Sequence, residues 1–111
     1  MDNEIRLIGN LVKDPEIYSS NAGEHAKIRI ACNTKYGKKE STLFIDVKLF
    51  GYSYKDLQYF NPVKGDKVSV VGRLEIEDYV DKNGMERRDA VVYSNQMHKI
   101  ATKRSVESNF E

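Results

Sequence analysis

The chain has 111 residues, of which 40% are hydrophobic and 32% charged, so it has room for one domain with a modest core. Its single cysteine, Cys32, excludes an internal disulfide, and the Cys and His residues lack the spacing of a structural zinc site. No apolar run approaches the length of a membrane span, and the acidic start does not resemble a signal peptide, so we expect a cytoplasmic protein.

Charge is nearly balanced overall but unevenly distributed. Lys and Arg number 18 and Asp and Glu 17, which gives a formal net charge of +1 at pH 7. Basic residues are concentrated in residues 27–55, whereas residues 1–24 and 75–89 are predominantly acidic. Because salt confines each charge to a range of roughly 10 Å, a local basic stretch attracts phosphate even on a near-neutral protein. This stretch also holds several of the chain's 7 Tyr and 4 Phe residues.

The first half of the chain predicts three strands with alternating apolar residues. The first is residues 4–13, which end at an Asp-Pro turn. A polar loop over residues 19–23 precedes the second strand, residues 26–33, whose outer face is basic. A Lys-rich loop over residues 34–41 then leads to the third strand, residues 42–50.

The second half predicts a short helix over residues 51–61 and two further strands, residues 68–79 and 88–100, joined by a hairpin with Asn-Gly at its turn. This element order is that of the OB-fold, so we predict an all-β, five-stranded Greek-key barrel with one short helix between strands 3 and 4. The pattern alone leaves a small sandwich open, but the helix position favours the barrel. Residues 1–101 form the expected domain, followed by a short flexible tail, residues 102–111.

The third strand has more apolar residues than one buried face can use. Its core face is predicted to comprise Leu43, Ile45, Val47 and Leu49. Phe44 and Phe50 then lie on the opposite face with Lys48. Exposing a ring forgoes burial worth roughly 1.5–3 kcal/mol, so either the helix or a partner subunit covers these rings or they stack on bases. Rings interleaved with cations on one face favour stacking.

Five short motifs follow one another along the chain: LIGNL at residues 7–11, DPE at 14–16, LFG at 49–51, KGD at 64–66 and VVGRL at 70–74. Their order and spacing resemble those of the bacterial single-stranded DNA-binding protein family. The resemblance covers about residues 3–100. It implies an OB-fold that binds and protects single-stranded DNA without sequence preference during replication, recombination and repair, with no cofactor and no enzymatic activity.

The resemblance also implies particular binding residues. The positions that match the family's base-stacking aromatics are Tyr36, Phe44, Phe50 and Tyr79. The candidates for contacts to phosphate are Lys35, Lys38, Lys39, Lys48 and Arg73. The acidic residues Glu75, Glu77 and Asp78 precede Tyr79 where many family members are basic, so Tyr79 is the least secure of the four rings. Asp46 also interrupts the basic and aromatic face, and we expect a neighbouring base to neutralise it.

The resemblance further implies a homo-oligomer, a tetramer or dimer, with Ile5 and Leu7 of the first strand at the subunit interface. A monomeric barrel needs an apolar first strand as well, so the sequence leaves the assembly open. The chain ends without the family's long linker and acidic tip, which predicts a short form of the kind found in phages and mobile elements. Recruitment of replication and repair proteins by the usual route is then not expected, and Phe110 is interpreted as part of a frayed end.

The sequence also allows other interpretations. The acidic group Glu75, Glu77, Asp78 and Asp81 suggests a Mg²⁺-dependent nuclease, but a solvated hairpin is the simpler interpretation. His25 and His98 are isolated in the sequence, and Cys32 falls on the apolar side of its strand, which predicts a core residue rather than a nucleophile. An RNA-binding OB-fold protein and a replication-restart protein that acts mainly through protein contacts share the predicted fold and stay open as alternatives.

Overall fold

The computed structural model describes residues 2–21 and 23–102. Strands alternate with turns along the chain, and one helix interrupts them. The elements are β1 (Ile5–Leu11), β2 (Glu16–Ser20), β3 (Gly23–Tyr36), β4 (Lys39–Leu49), α1 (Tyr52–Phe60), β5 (Lys67–Val80) and β6 (Glu86–Ala101). In this described part, no helix is both long and apolar enough to cross a membrane.

Five of the strands close into a barrel, which confirms the predicted OB-fold. The sheet runs β1-β5-β6-β4-β3-β2, and an additional pairing of β1 with β3 closes the first five of these strands into a ring. All pairings are antiparallel except that of β4 with β6. The strand β2 lies outside this ring and pairs with β3.

The core follows from strict alternation on the barrel strands. Ala26, Ile28, Ile30 and Cys32 of β3 are at most 7% exposed, which confirms Cys32 as a core residue. Burial raises the pKa of its thiol. Leu43 shares the inward side of β4 with Ile45, but the prediction that it belongs to the core is wrong, because it is 48% exposed. The ladder of β3 and β4 extends beyond the barrel at this point, so an inward-pointing side chain meets solvent.

The predicted helix is confirmed and fixes the end of β4. It follows Gly51, whose φ of 55° suits a residue without a side chain, and it ends at Asn61 in the left-handed conformation. Ser53 is fully buried. Its hydroxyl accepts a hydrogen bond from the Phe50 N–H at 2.9 Å and donates one to the Ser94 carbonyl at 2.7 Å. These bonds anchor the backbone of Phe50.

Two of the predicted loops are largely strand. The polar loop over residues 19–23 contains the end of β2, which forms a hairpin with β3 that the sequence analysis missed. The Lys-rich loop over residues 34–41 is a continuation of β3 and β4, and the turn between them comprises Gly37 and Lys38. In both cases the polar sequence led to the wrong prediction of a loop. Both faces of a projecting hairpin are solvated, so its strands need no apolar alternation. The predicted tail beyond residue 102 lies outside the described residues, as does Phe110.

Candidate nucleic-acid interface

Register places one face of four strands outside the barrel core, and we call this surface the barrel face. It comprises the outward residues of β3, β4, β5 and β6, namely His25, Lys27, Arg29, Phe44, Asp46, Lys48, Arg73, Glu75, Glu77 and Tyr93, together with Phe50 just after β4. Lys48 stands at the centre, opposite Lys27 on one side and Tyr93 on the other. The structure therefore brings together four of the residues predicted to bind, Phe44, Lys48, Phe50 and Arg73.

A row of four stacked rings crosses the barrel face. His25 lies between Tyr18 and Phe50, with ring centroids 5.4 and 4.8 Å apart, and Phe50 continues to Tyr93 at 5.9 Å. The interplanar angles along the row are 12° to 21°. Cations border it, since Lys27 lies 6.0 Å from the Tyr18 ring centre and Arg73 4.8 Å from that of Tyr93. Bases can approach such a row at its edges and ends.

Sequence reasoning missed three members of this row. Tyr18 was missed because no strand was predicted between the Asp-Pro turn and the loop over residues 19–23. Tyr93 was missed because both residues that precede it, Val91 and Val92, are apolar and buried and obscure the alternation. His25 had a usable signal: it shares the odd-numbered face of β3 with Lys27 and Arg29. The interpretation of His25 as a surface or strand residue is confirmed, because it lies on β3, but it is not isolated in space, because its ring contacts two others.

Phe44 stands apart from the row. Its side chain is 53% exposed, and the Arg29 guanidinium carbon lies 5.9 Å from its ring centre. Among the residues that the structure describes, no second ring stacks on it. Phe44 therefore offers a more open aromatic surface than Phe50, both faces of which have ring neighbours.

All four cations of the barrel face have a carboxylate within 4.0 Å, and the longest of these pairs is Lys27 with Glu16 at 4.0 Å. Arg29 lies 3.1 Å from Asp46, which confirms that a neighbouring base neutralises Asp46. The other pairs are Lys48 with Glu77 at 3.1 Å and Arg73 with Glu75 at 2.8 Å. The face is thus aromatic and rich in ions, but nearly neutral.

Glu77 is the most firmly held of these carboxylates. The same oxygen, Oε2, accepts hydrogen bonds from the Lys48 ammonium group and from the Tyr93 hydroxyl. The bond from Tyr93 is the main reason that the pKa of Glu77 is lowered, and it raises the pKa of Tyr93. Burial is the largest single influence on the pKa of Lys48 and lowers it, but the hydrogen bonds and charges of Glu77 and Tyr93 together outweigh burial, so the pKa of Lys48 is raised. Both members of the pair are therefore ionised at neutral pH.

The other predicted lysines lie at the end of the β3–β4 hairpin, residues 35–39, which we call the β3–β4 tip. Its side chains are exposed, and Tyr36 is 75% exposed. Glu40 faces Lys35 across the ladder, yet within the described ranges no carboxylate lies within 4.0 Å of the nitrogens of Lys35, Lys38 or Lys39. Alternation places Tyr36 and Lys39 on the side opposite Phe44 and Lys48, so the four predicted stacking rings do not form one surface.

Tyr79 lies on the second hairpin, formed by β5 and β6. It is 46% exposed and shares a strand face with Arg73 and Glu77. A hydrogen bond to Asp89 raises the pKa of its hydroxyl. Between Tyr79 and Lys48 runs a groove of about 600 Å³, whose charged lining is Lys27, Asp46, Lys48, Glu77, Asp78 and Asp89. DNA that connects Lys48 to Tyr79 must therefore pass four acids.

The acidic residues of this hairpin form ion pairs rather than a metal centre. Asp78 lies 2.9 Å from Arg88, and Asp81 lies 2.9 Å from Arg87. The described part of the chain contains no group of three or more His, Cys, Asp or Glu side chains placed to hold a metal ion. The geometry therefore gives no support to the Mg²⁺-dependent nuclease.

Gly72 allows the close contact of β5 and β6 that positions Arg73. A Cβ on Gly72 would lie 2.2 Å from the Tyr93 carbonyl oxygen and 2.8 Å from the Ser94 Cα. The register of β5 and β6 shifts next to this point. Beside it lies a pocket of about 510 Å³ lined by Phe50, Gly51, Tyr52, Arg73, Tyr93, Ser94 and Asn95.

The first strand presents both a core side and an open edge. Ile5 and Leu7, predicted at a subunit interface, are partly buried and pack against the barrel core. Ile8 points the other way and is 52% exposed. Residues 5–10 pair with β5, whereas the pairing with β3 involves Asn10 and Leu11. The β3-side edge of β1 therefore lacks a ladder partner from Ile5 to Gly9 among the described residues.

Comparisons with known proteins agree on one family. The model of the single-strand binding protein family matches residues 2–100. The single-stranded DNA-binding protein of Helicobacter hepaticus is 34% identical over 116 residues, covering 98% of this chain and 67% of that protein. The small single-stranded DNA-binding protein of Streptomyces coelicolor has the same fold, with a TM-score of 0.75 at 22% identity over 90% of this chain and 96% of that chain. The Plasmodium falciparum SSB in complex with ssDNA aligns with a TM-score of 0.72 at 24% identity, over 89% and 93% of the two chains.

Proposed function

The chain belongs to the single-strand binding protein family, and from this premise we propose that it binds single-stranded DNA without sequence preference and protects it during replication, recombination and repair. The observation that carries the proposal is the barrel face, where exposed rings and cations lie side by side on the ligand-binding side of an OB-fold. We expect this activity in the cytoplasm.

Stacking and charge have separate locations in the proposed complex. Bases stack on Phe44 and at the edges of the row formed by Tyr18, His25, Phe50 and Tyr93. Every base has a π-face, so stacking tolerates any sequence and contributes about 1–3 kcal/mol per base. Lys35, Lys38 and Lys39 of the β3–β4 tip contact phosphates, and Lys48 and Arg73 do so on the barrel face. Tyr36 and Tyr79 extend the stacking surface onto the two hairpins.

A salt titration of binding to oligo-dT tests this function. We expect tight binding to oligo-dT, much weaker binding to duplex DNA of the same length, and a linear fall of log K with log salt at about 0.7 per neutralised phosphate. Phe44→Ala should weaken binding about fivefold to a hundredfold. Tyr59→Ala is the matched control, because Tyr59 is an 82% exposed ring on α1, away from the barrel face.

Three results would contradict the proposal. Equal affinity for duplex and single strands would remove it, and a preference for oligo-U over oligo-dT would favour the RNA-binding alternative. Unchanged oligo-dT affinity in a folded Phe44→Ala variant would remove the stacking role of the barrel face.

We also propose that the chain forms a homo-oligomer through β1. Its open edge and the exposed Ile8 suit pairing with the same strand of a second copy, because main-chain donors and acceptors there lack ladder partners within the described residues. Ile5 and Leu7 support this edge from the core side. Sedimentation at micromolar concentration should give a mass above that of the 12.8 kDa monomer, and Ile8→Lys should lower it. A monomeric wild-type protein would refute the assembly.

A further inference from the structure

The barrel face neutralises its own cations before any DNA arrives. We propose that Glu77 is an internal competitor for the phosphate-binding group of Lys48, so that DNA must displace a carboxylate at the centre of the face. This inference rests on the proposed binding of single-stranded DNA and names a residue that limits its affinity. Glu77 lies on β5 and Lys48 on β4, so β6 separates their two strands and both side chains must reach across Tyr93 to meet.

The contacts of Glu77 hold it in this position. Its Oε2 accepts from both Lys48 and Tyr93, and it is partly buried between them. Two donors hold the Glu77 carboxylate in place, so it loses less conformational freedom by keeping its bond to Lys48 than a mobile surface acid would. It also satisfies the ammonium group that a phosphate would otherwise bind. A phosphate that approaches Lys48 must therefore compete directly with Glu77.

The surrounding charges make the competition unfavourable to DNA. Asp89 lies opposite Glu77 in the β5–β6 ladder, and Asp46 and Asp78 line the same groove. Lys27, opposite Lys48, is the other cation of that groove. When a phosphate takes Lys48, the freed Glu77 faces both the phosphate and these acids, because no further lysine or arginine lines the groove in the described part of the chain.

This exchange reduces the effect of salt on the binding of DNA at Lys48. A free lysine that neutralises one phosphate of single-stranded DNA releases about 0.7 counterion. When Lys48 leaves Glu77 for phosphate, one negative charge is neutralised and another is exposed, so the net release at this site is close to zero. The barrel face should therefore contribute less to the salt dependence of binding than its cations suggest, and stacking should carry more of its affinity.

The test compares Glu77→Gln with Glu24→Gln by binding oligo-dT across a range of salt. Glutamine keeps the size and the acceptor for Tyr93 but removes the charge. Glu24 is a close match, because it accepts a hydrogen bond of 2.6 Å from the Tyr54 hydroxyl but has no ion-pair partner in the described ranges. Glu77→Gln should bind about three- to tenfold more tightly at low salt, with a log–log slope steeper by up to about 0.7. Glu24→Gln should change both much less.

A double-mutant cycle with Lys48→Gln separates competition from general repulsion. If Glu77 acts through Lys48, most of the gain from Glu77→Gln disappears in the Lys48→Gln background. A gain of equal size in both backgrounds overturns the inference, as does unchanged or weaker binding by folded Glu77→Gln. If that variant does not fold, Glu75→Gln, which frees Arg73 in the same way, must show a smaller gain of the same sign. Failure of wild-type protein to bind oligo-dT would instead remove the proposed function itself.

Discussion

The β3–β4 tip and the barrel face use cations in opposite ways. At the tip, Lys35, Lys38 and Lys39 stand in solvent with no carboxylate within 4.0 Å in the described chain. On the barrel face, Lys48 and Arg73 are each bound to a glutamate. The tip therefore presents charge that is available at once, whereas the face presents rings among charges that are already satisfied.

The difference has a structural origin. The tip projects beyond the barrel core, so both of its sides are solvated and its lysines gain nothing by pairing. Residues on the face stand close together on four adjacent strands, where unpaired like charges such as Lys27 and Lys48 would repel each other at the distance of a cross-strand pair. The acids of β5 stabilise the folded face and thereby weaken its attraction for phosphate. We expect the tip to govern electrostatic capture and the face to govern stacking.

The largest effect should come from a glycine that supports the face. Gly72→Ala places a Cβ 2.2 Å from the Tyr93 carbonyl oxygen, so the backbone must shift, and the free energy of unfolding should fall by about 3 kcal/mol. Gly37→Ala at the tip is the matched control. It has open space around it, and its φ of 56° should cost only about 1–2 kcal/mol. Urea denaturation of both variants measures the difference, and equal losses would contradict the tight contact at Gly72.

The second largest effect should distinguish the charges of the β3–β4 tip from those of the barrel face. Replacing Lys35, Lys38 and Lys39 together by Ala should lower oligo-dT affinity at least about tenfold at low salt and flatten the log–log salt slope by about 2. Lys48→Ala should change the slope by much less, because Glu77 already neutralises that lysine. Fluorescence anisotropy at four or more salt concentrations gives both quantities. A Lys48→Ala slope change as large as one third of that of the triple variant would show that the face is not self-neutralised.

A third prediction compares two aromatic rings of the barrel face, Phe44 and Phe50. Phe44→Ala should weaken binding by about 1–3 kcal/mol, because its ring is free to receive a base. Phe50→Ala should weaken binding less and lower the melting temperature more, because the Phe50 ring packs between His25 and Tyr93. Binding and thermal melting measured on the same samples test this ranking. The reverse order in either measurement would mean that the ring row opens to admit bases.

The sequence predicted the barrel better than it predicted which side chains meet on the barrel face. Alternation in β3 and in the second half of β4 identified the core, and the Asn-Gly turn identified the second hairpin, where Gly84 has a φ of 78°. Local pattern also identified Phe44 and Lys48 as outward residues. These features depend on neighbours in the chain, which a single sequence displays.

What the sequence did not predict depends on contacts between distant strands. The stacking of His25 on Phe50 joins residues 25 positions apart, and the pairing of Lys48 with Glu77 joins residues 29 apart. Such contacts require the strand order and register, which alternation alone does not specify. For the same reason the sequence did not reveal that Lys48, a candidate for phosphate contact, is paired with Glu77 of the acidic segment.

The smallest effect concerns pH and tests whether Glu77 serves folding at the expense of binding. Because the folded-state pKa of Glu77 is lowered from 4.5, its stabilisation is fully present above about pH 4.5 and is lost as the pH falls through the folded-state pKa. Glu77→Gln should therefore melt slightly below the wild type at pH 7, and the gap should close in acid. The Lys38→Gln control removes a charge that makes no ion pair in the described structure, so its melting curve should stay parallel to that of the wild type. If Glu77→Gln binds oligo-dT more tightly at pH 7 while melting at a lower temperature, one carboxylate stabilises the fold and opposes DNA. If it melts at or above the wild-type temperature at pH 7, the pair contributes nothing to the fold, and the stabilising role of the β5 acids is wrong.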